Sequence, residues 1–325
     1  MGMDKPLPTT LIEAVKYFSD ADNCREYLVA RRWPNGVTCP TCGSKTVYFD
    51  RSRNGWECKT RHPHRKFTLK TGTIFEDSPL PLSKWLPTVW MIANCKNGVS
   101  SWEISRAIGV TQKTAWFMLH RIRLAMQDEE TGGKLGGDVE VDETFIGGKS
   151  RNMHHAKRER VIKGTGGKGK VAVMGLLERH GKDGHSRMRL NITTRLRKRD
   201  LQGQVRDHVE AGSNVYTDSY KSYIGLDRDY VHGVIDHAEA YVDGQIHTNG
   251  CENFWSLLKR ALKGTYVAVE PFHLFRYLDE QVFRFNNRRE MNDADRFSEV
   301  VRNIVGRRLT YKELIAAIND AAATA

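Results

Sequence analysis

Two sets of residues in this 325-residue sequence are spaced for chemistry: cysteines and histidines near the start, and carboxylates in the second half. Cys39-Pro40-Thr41-Cys42 is a metal knuckle, and Gly43 directly after it permits the tight turn that aims both sulfurs at one point. Fifteen residues separate Cys42 from Cys58, the spacing that closes a ribbon hairpin. The second knuckle departs from a plain cysteine pair and reads Cys58-Lys59-Thr60-Arg61-His62-Pro63-His64. Zinc accepts imidazole readily, so a site of Cys39, Cys42, Cys58 and His62 is expected, with His64 as the alternative fourth ligand. Four protein ligands leave no position for a reactive water, so this zinc would be structural and catalysis would lie elsewhere. The remaining cysteines, Cys24, Cys95 and Cys251, stand alone in apolar patterns and suggest no disulfide framework.

The carboxylates sit in three places. Val139-Glu140-Val141-Asp142-Glu143-Thr144-Phe145-Ile146 reads as a strand, although acids are poor strand formers. Asn214-Val215-Tyr216-Thr217-Asp218 ends another strand in an acid, where α/β sheets present reacting groups. Glu252 opens a helical stretch in which Trp255, Ser256 and Lys259 are expected on its own face, with Phe254, Leu257, Leu258 and Ala261 turned to the core. Lys259 follows Glu252 by two turns, about 10 Å along the axis, a reach suited to a phosphate beside a metal site. Carboxylates converging from two strands and a helix can hold two Mg²⁺ ions about 3.5–4 Å apart, the arrangement that activates a hydroxyl and stabilises the leaving oxygen in phosphodiester cleavage. Plainer assignments exist: Glu252 lies three residues after Asn249 and could be a capping residue, and Asp218 could close a turn. Spacing does not choose among Glu140, Asp142 and Glu143.

These groups need a scaffold. Helices are expected within residues 10–32, at about 82–96, 101–108 and 112–127, and later at about 198–210, 250–262 and 271–287. Strands are expected at 138–146, 171–178, 187–194 and 213–218, and the tail 297–325 as a final helix or two. Ser100 and Glu103 form a capping box, Gly109 stops that short helix, and a longer helix begins at Gln112, which is a helix-turn-helix layout. Ala115, Met118, Leu119 and Ile122 should then pack inward, Gln112, Lys113 and Thr114 should read bases, and Arg121 and Arg123 should reach phosphates. The net charge of +12 is local: Lys149 to Asp200 holds 16 Lys/Arg against 4 Asp/Glu, the whole excess of the chain. Such a segment suits a polyanion, and Lys157, Arg158 and Arg160 are its candidate DNA contacts. With 39% hydrophobic residues the chain can bury a core, and it has no apolar run of membrane-spanning length and no apolar leader-like segment at its start, so a secreted or membrane protein is not expected.

The segments CPTCG, KTGTIFEDSPLPLSKW, NGVSSWEISRAIGVTQKTAWFMLHRIRLAM, VEVDETFIGGK, VYTDSY and HTNGCENFWSLLKRALKGTY, followed by FRYLDEQVFRFNNR, make the chain resemble a bacterial insertion-sequence transposase of the DDE type, in the zinc-ribbon group related to Merlin elements. The resemblance runs from about residue 20 to 290. The sequence pattern itself gives the α/β fold, N-terminal helices at 1–33, the zinc ribbon at 34–75, a helix-turn-helix module at 80–130 and a helical tail at 291–325; the resemblance implies an RNase H-like mixed-sheet catalytic domain at 137–290. It also implies Asp142, Asp218 and Glu252 as a triad for a catalytic Mg²⁺ (or Mn²⁺) pair, with Lys259 as the basic residue two turns on. The expected activity is cleavage at terminal inverted repeats and transfer of the freed 3′-OH to target DNA by an assembly at least dimeric, in the cytoplasm on the nucleoid. A DNA-binding regulator with an inert catalytic domain, or a nuclease that cuts without joining, are the alternatives.

Overall fold

Local sequence rules account for most element boundaries. The computed structural model describes residues 6–127, 133–147, 170–181, 184–193, 196–235 and 245–316. It divides into two units, one of residues Met1–Gln127 with Glu290–Ala325 and one of residues Asp128–Arg289.

In the first unit, α1 (Leu11–Phe18) opens on a Thr10–Glu13 capping box and α2 (Ala21–Arg32) on the Asp20 side chain. A small antiparallel sheet follows, β1 (Val47–Asp50), β2 (Gly55–Cys58) and β3 (Lys66–Phe67), with Trp56 between Phe49 and Phe67 and Trp33 packed edge-on against it. Then come α3 (Leu82–Asn94), α4 (Ser101–Ile108) and α5 (Gln112–Met126). The Ser100–Glu103 box is formed, and Gly109 terminates α4 at φ 62°, a left-handed conformation that glycine adopts without a Cβ penalty. Ala115, Met118, Leu119 and Ile122 are buried, as their spacing requires.

The tail does not stand apart from this unit. In α9 (Asp293–Arg302), Phe297 packs against Phe18, Tyr27 and Trp90, and Ser298 bonds the Tyr27 hydroxyl at 3.1 Å. Beyond it the Ile74 amide donates to the Ile304 carbonyl at 3.1 Å, and Gly306 donates to Gly72 at 2.9 Å.

The second unit is built on a five-stranded sheet in the order β6-β5-β4-β7-β8. Strand β5 (Val171–Arg179) runs antiparallel to both β4 (Asp138–Ile146) and β6 (Arg187–Thr193), while β7 (Asn214–Asp218) and β8 (Val231–Ile235) run parallel to β4. Helices cover both faces, so each strand must supply apolar side chains in both directions. On one face Val139, Val141, Met174, Leu176 and Val215 pack against Leu201 and Val205 of α6 (Lys198–His208). On the other, Val173, Leu177 and Met188 meet α7 (Asn249–Ala261) and α8 (Leu274–Asn286), which contribute Phe254, Leu258, Leu278 and Phe285. Strand β8 is absent from the sequence expectation. It is a short edge strand interrupted by Gly233, where a Cβ would press against the Tyr216 ring at 3.0 Å, and its alternation is correspondingly weak.

Candidate active site and metal centre

The ribbon knuckles converge. One ligand atom each from Cys39, Cys42, Cys58 and His62 lies within 4.8 Å of all the others. Gly43 takes φ 72°, its amide donates to the Cys39 carbonyl at 2.8 Å, and the Cys39 amide reaches back to Ser44 at 2.9 Å, which closes the first knuckle. The His62 Nδ1 sits 2.5 Å from the Pro63 carbonyl, so it carries the proton and leaves Nε2 facing the cysteines, 3.5 Å from Cys39 Sγ. Desolvation pushes the Cys58 thiol up, but hydrogen bonds led by that with His62 outweigh it and bring the thiol down to about 6, toward the thiolate that zinc needs. His64 is exposed and outside the group, whereas His62 lies within it. The Cys3His set fits structural zinc.

The acids meet across the sheet of the second unit. The parallel pairing of β4 with β7 ends at Glu140 with Tyr216, and two residues further on each strand carries an acid, Asp142 on β4 and Asp218 on β7. In the antiparallel register on the other side Asp142 pairs with Gly175. Strand alternation then separates the three acids of β4. Glu140 and Asp142 share the face covered by α7, whereas Val139 and Val141 face α6. Glu143 turns away from α7 and takes a hydrogen bond from the Tyr223 hydroxyl. Burial, then the charges of Asp218 and Asp142, push its carboxyl up to about 8, so at neutral pH it is a poor anionic ligand.

Asp142 is raised to about 6, first by burial and then by the charges of Asp218 and Glu252, against hydrogen bonds from Trp255 and the Glu143 amide. Glu252, on the first turn of α7, is exposed, and its amide bonds the Thr248 carbonyl at 3.0 Å. The helix cap is Thr248 rather than Asn249, and no side chain closes it, so Glu252 is not the partner of an Asn249 capping box. Lys259 lies half-buried on the same helix, two turns later. The charges of Asp218 and Glu252 thus both act on Asp142. An all-oxygen set whose central acid is raised first by burial and then by like charges fits a hard divalent cation, which would offset both.

Trp255 differs from the surface position that its spacing suggested. It is 4% exposed, lies over β5, and donates its indole N–H to Asp142 Oδ2 at 2.8 Å. Gly175 makes room for it: a Cβ there would stand 2.7 Å from the indole ring. A tryptophan one turn after an acid, and a glycine inside an otherwise bulky strand, were the sequence signals for this pair.

The nucleic-acid candidates divide. Gln112, Lys113 and Thr114 occupy the first turn of α5 and remain at least partly accessible, with Lys113 Nζ 4.7 Å from the Tyr311 ring centre. Arg121 and Arg123 correct the expectation of phosphate contact: they are 5% and 1% exposed. Arg121 donates to the carbonyls of Leu309, Ile74 and Glu76 at 2.9, 3.1 and 2.8 Å, tying α5 to the turn before α3 and to the tail. The second half of α5 is covered on nearly all sides, so its cations serve packing. Lys157, Arg158 and Arg160 lie outside the described residues.

Comparison with known proteins agrees with this organisation. Residues 134–286 match the ISXO2-like transposase domain, and residues 19–60 match the transposase zinc-ribbon domain. Over 260 residues the chain is 29% identical to a protein in the transposable element ISH50 of Halobacterium salinarum, covering 76% of this chain and 85% of that one. Over 84 residues it is 36% identical to a transposase-like protein of Haemophilus influenzae, covering 26% of this chain and 68% of the relative. A mixed α/β domain with a DDE-type match behind a zinc ribbon is the build of a transposase. This chain belongs to the IS1595 family of transposases, with the ribbon N-terminal to the transposase domain.

Proposed function

We propose that the protein cleaves the ends of its element and joins the freed 3′-OH to target DNA, using one active site of Asp142, Asp218 and Glu252. The observation that carries this reading is that the charges of Asp218 and Glu252 both act on Asp142, which the helix bearing Glu252 covers through the Trp255 bond. These three residues would hold an Mg²⁺ (or Mn²⁺) pair, which supplies activation of a water or 3′-OH and charge neutralisation at the leaving oxygen. The chain's own groups then do the rest. Trp255 fixes one oxygen of Asp142, Lys259 offers an ammonium to a substrate phosphate, and Glu143 turns to the Tyr223 hydroxyl on the other face of the strand. The mixed sheet, antiparallel on one side of β4 and parallel on the other with helices on both faces, supports an RNase H-like fold for this domain.

On this reading α4 and α5 act as a helix-turn-helix that, with the ribbon, binds terminal inverted repeats through Gln112, Lys113 and Thr114. Lys157, Arg158 and Arg160 grip DNA near the scissile phosphate. Pairing two element ends calls for a dimer or larger complex, working on the nucleoid in the cytoplasm. No described helix is long and apolar enough to cross a membrane.

Strand transfer with oligonucleotides bearing the element ends and Mg²⁺ tests the proposal. Asp142→Ala, Asp218→Ala and Glu252→Ala should each lower cutting and joining by about a thousandfold or more. Variants that still cut and join would refute the site. Cutting without joining in the wild type would favour a nuclease, and end binding without either step would favour a regulator.

A further inference from the structure

Glu140 shares the strand and the face of Asp142 but is committed to a different set of partners. It is 1% exposed, and its two oxygens are spoken for. One accepts from Arg179 Nε at 2.6 Å; the other accepts the Cys251 amide at 2.8 Å, inside the first turn of α7. That turn has no side-chain cap of its own, so a carboxylate from the sheet satisfies one of its orphan donors and meets the positive end of the helix dipole. Arg179 completes the joint. Its remaining nitrogens reach the Gln245 carbonyl at 2.7 Å, the His247 carbonyl at 2.5 Å and His247 Nδ1 at 2.7 Å, and its guanidinium lies 4.5 Å from the Tyr216 ring centre. Gly250 allows the close approach, since a Cβ there would fall 2.9 Å from the Glu140 carboxylate.

Cys251 immediately precedes Glu252, and Glu140 precedes Asp142 by two residues on the same face of β4. A bond from Glu140 to the Cys251 amide therefore fixes the first turn of α7 against the strand that carries Asp142, one residue from one acid and one pleat repeat, about 7 Å, from the other. We propose that Glu140 is a positioning residue: paired with Arg179, it sets the separation of Asp142 and Glu252, and through that separation the affinity of the site for a divalent cation. The inference rests on the reading of these two acids as co-ligands. It explains why β4 carries a second buried acid that takes no part in the chemistry, and why the segment 245–247 is bound to the sheet by the same arginine.

The test is Mn²⁺ binding to the zinc-loaded, full-length protein, followed by the electron paramagnetic resonance signal of free Mn²⁺, beside the Mn²⁺ dependence of cutting at element-end oligonucleotides. Glu140→Ala and Arg179→Met should weaken Mn²⁺ by about 10–100-fold, the usual effect of losing a group that orients a ligand. Excess Mn²⁺ should restore most of their cutting rate, as it should not for Asp142→Asn. Glu140→Gln, which keeps an acceptor for the Cys251 amide, should fall between. Gly250→Ala disturbs the joint from the helix side without altering charge, and it serves if Glu140→Ala does not fold. Mn²⁺ affinity within twofold of wild type in all these variants, even with a lowered melting temperature, would overturn the positioning role while leaving the acid site intact. Wild-type affinity in Asp142→Asn would overturn the site and the inference together.

Discussion

Asp142 keeps its proton up to about pH 6 because it is buried and because Asp218 and Glu252 are near. A carboxyl whose folded value lies above the ordinary 3.8 favours the folded chain less as it ionises, so stability is lost as pH rises from about 4 through 6. In magnesium-free buffer Asp142→Asn should therefore melt a few degrees above wild type at pH 7.5, with the advantage vanishing below about pH 4. A scanning fluorimetry series over pH checks this; a difference independent of pH would mean that the penalty is not ionic. The choice of this acid was only half legible in the sequence. Glu140, Asp142 and Glu143 are chemically alike, and alternation separates them into two faces without saying which face a distant helix covers. The distinction needs the register of β4 with β7 and the Glu140–Cys251 and Asp142–Trp255 bonds, all long-range.

At the scale of elements, β5 shows how closely a strand and a helix are matched. Its glycine lies directly opposite Asp142 and under the Trp255 ring. Gly175→Ala should cost about 1–3 kcal/mol through overpacking and should also loosen the indole N–H from Asp142, so both the urea midpoint and Mg²⁺-dependent cutting should fall. Unchanged urea midpoint would show that the ring can slide. In the ribbon, the three strands together span only ten residues, so the knuckle should depend on its ion. The native protein should carry one equivalent of zinc, and Cys58→Ser should lose it, as metal analysis after gel filtration would report. Helix boundaries and the first knuckle were legible because caps and glycines act locally: Ser100, Gly109 and Gly43 each occupy the conformation their sequence context demands. Strand β8 and the burial of Arg121 and Arg123 were not, since an edge strand needs its neighbour and a helix's covered faces depend on what the rest of the chain lays over them.

Across the whole molecule, the unit that contains the ribbon and α3–α5 is completed by residues after 290. Phe297, 1% exposed, closes an aromatic cluster with Phe18, Tyr27 and Trp90, and Phe297→Ala should cost about 3–5 kcal/mol. Thermal denaturation should then show the loss in the transition of this unit and leave the sheet unit's transition in place; an equal shift of both would contradict two separately organised cores. The tail carried no motif, and its packing role could not be inferred from its sequence because its partners lie some 200 residues upstream, as in the hydrogen bond from Asn94 to Asp293. The same connectivity governs the order of events during synthesis. The chain leaves its first unit at Gln127 and re-enters it at Glu290, with the entire acid-bearing unit made in between. On a ribosome the five-stranded sheet can emerge and fold while the first unit still lacks Phe297 and Ile304, so the nascent polypeptide acquires its acids before its N-terminal core can close.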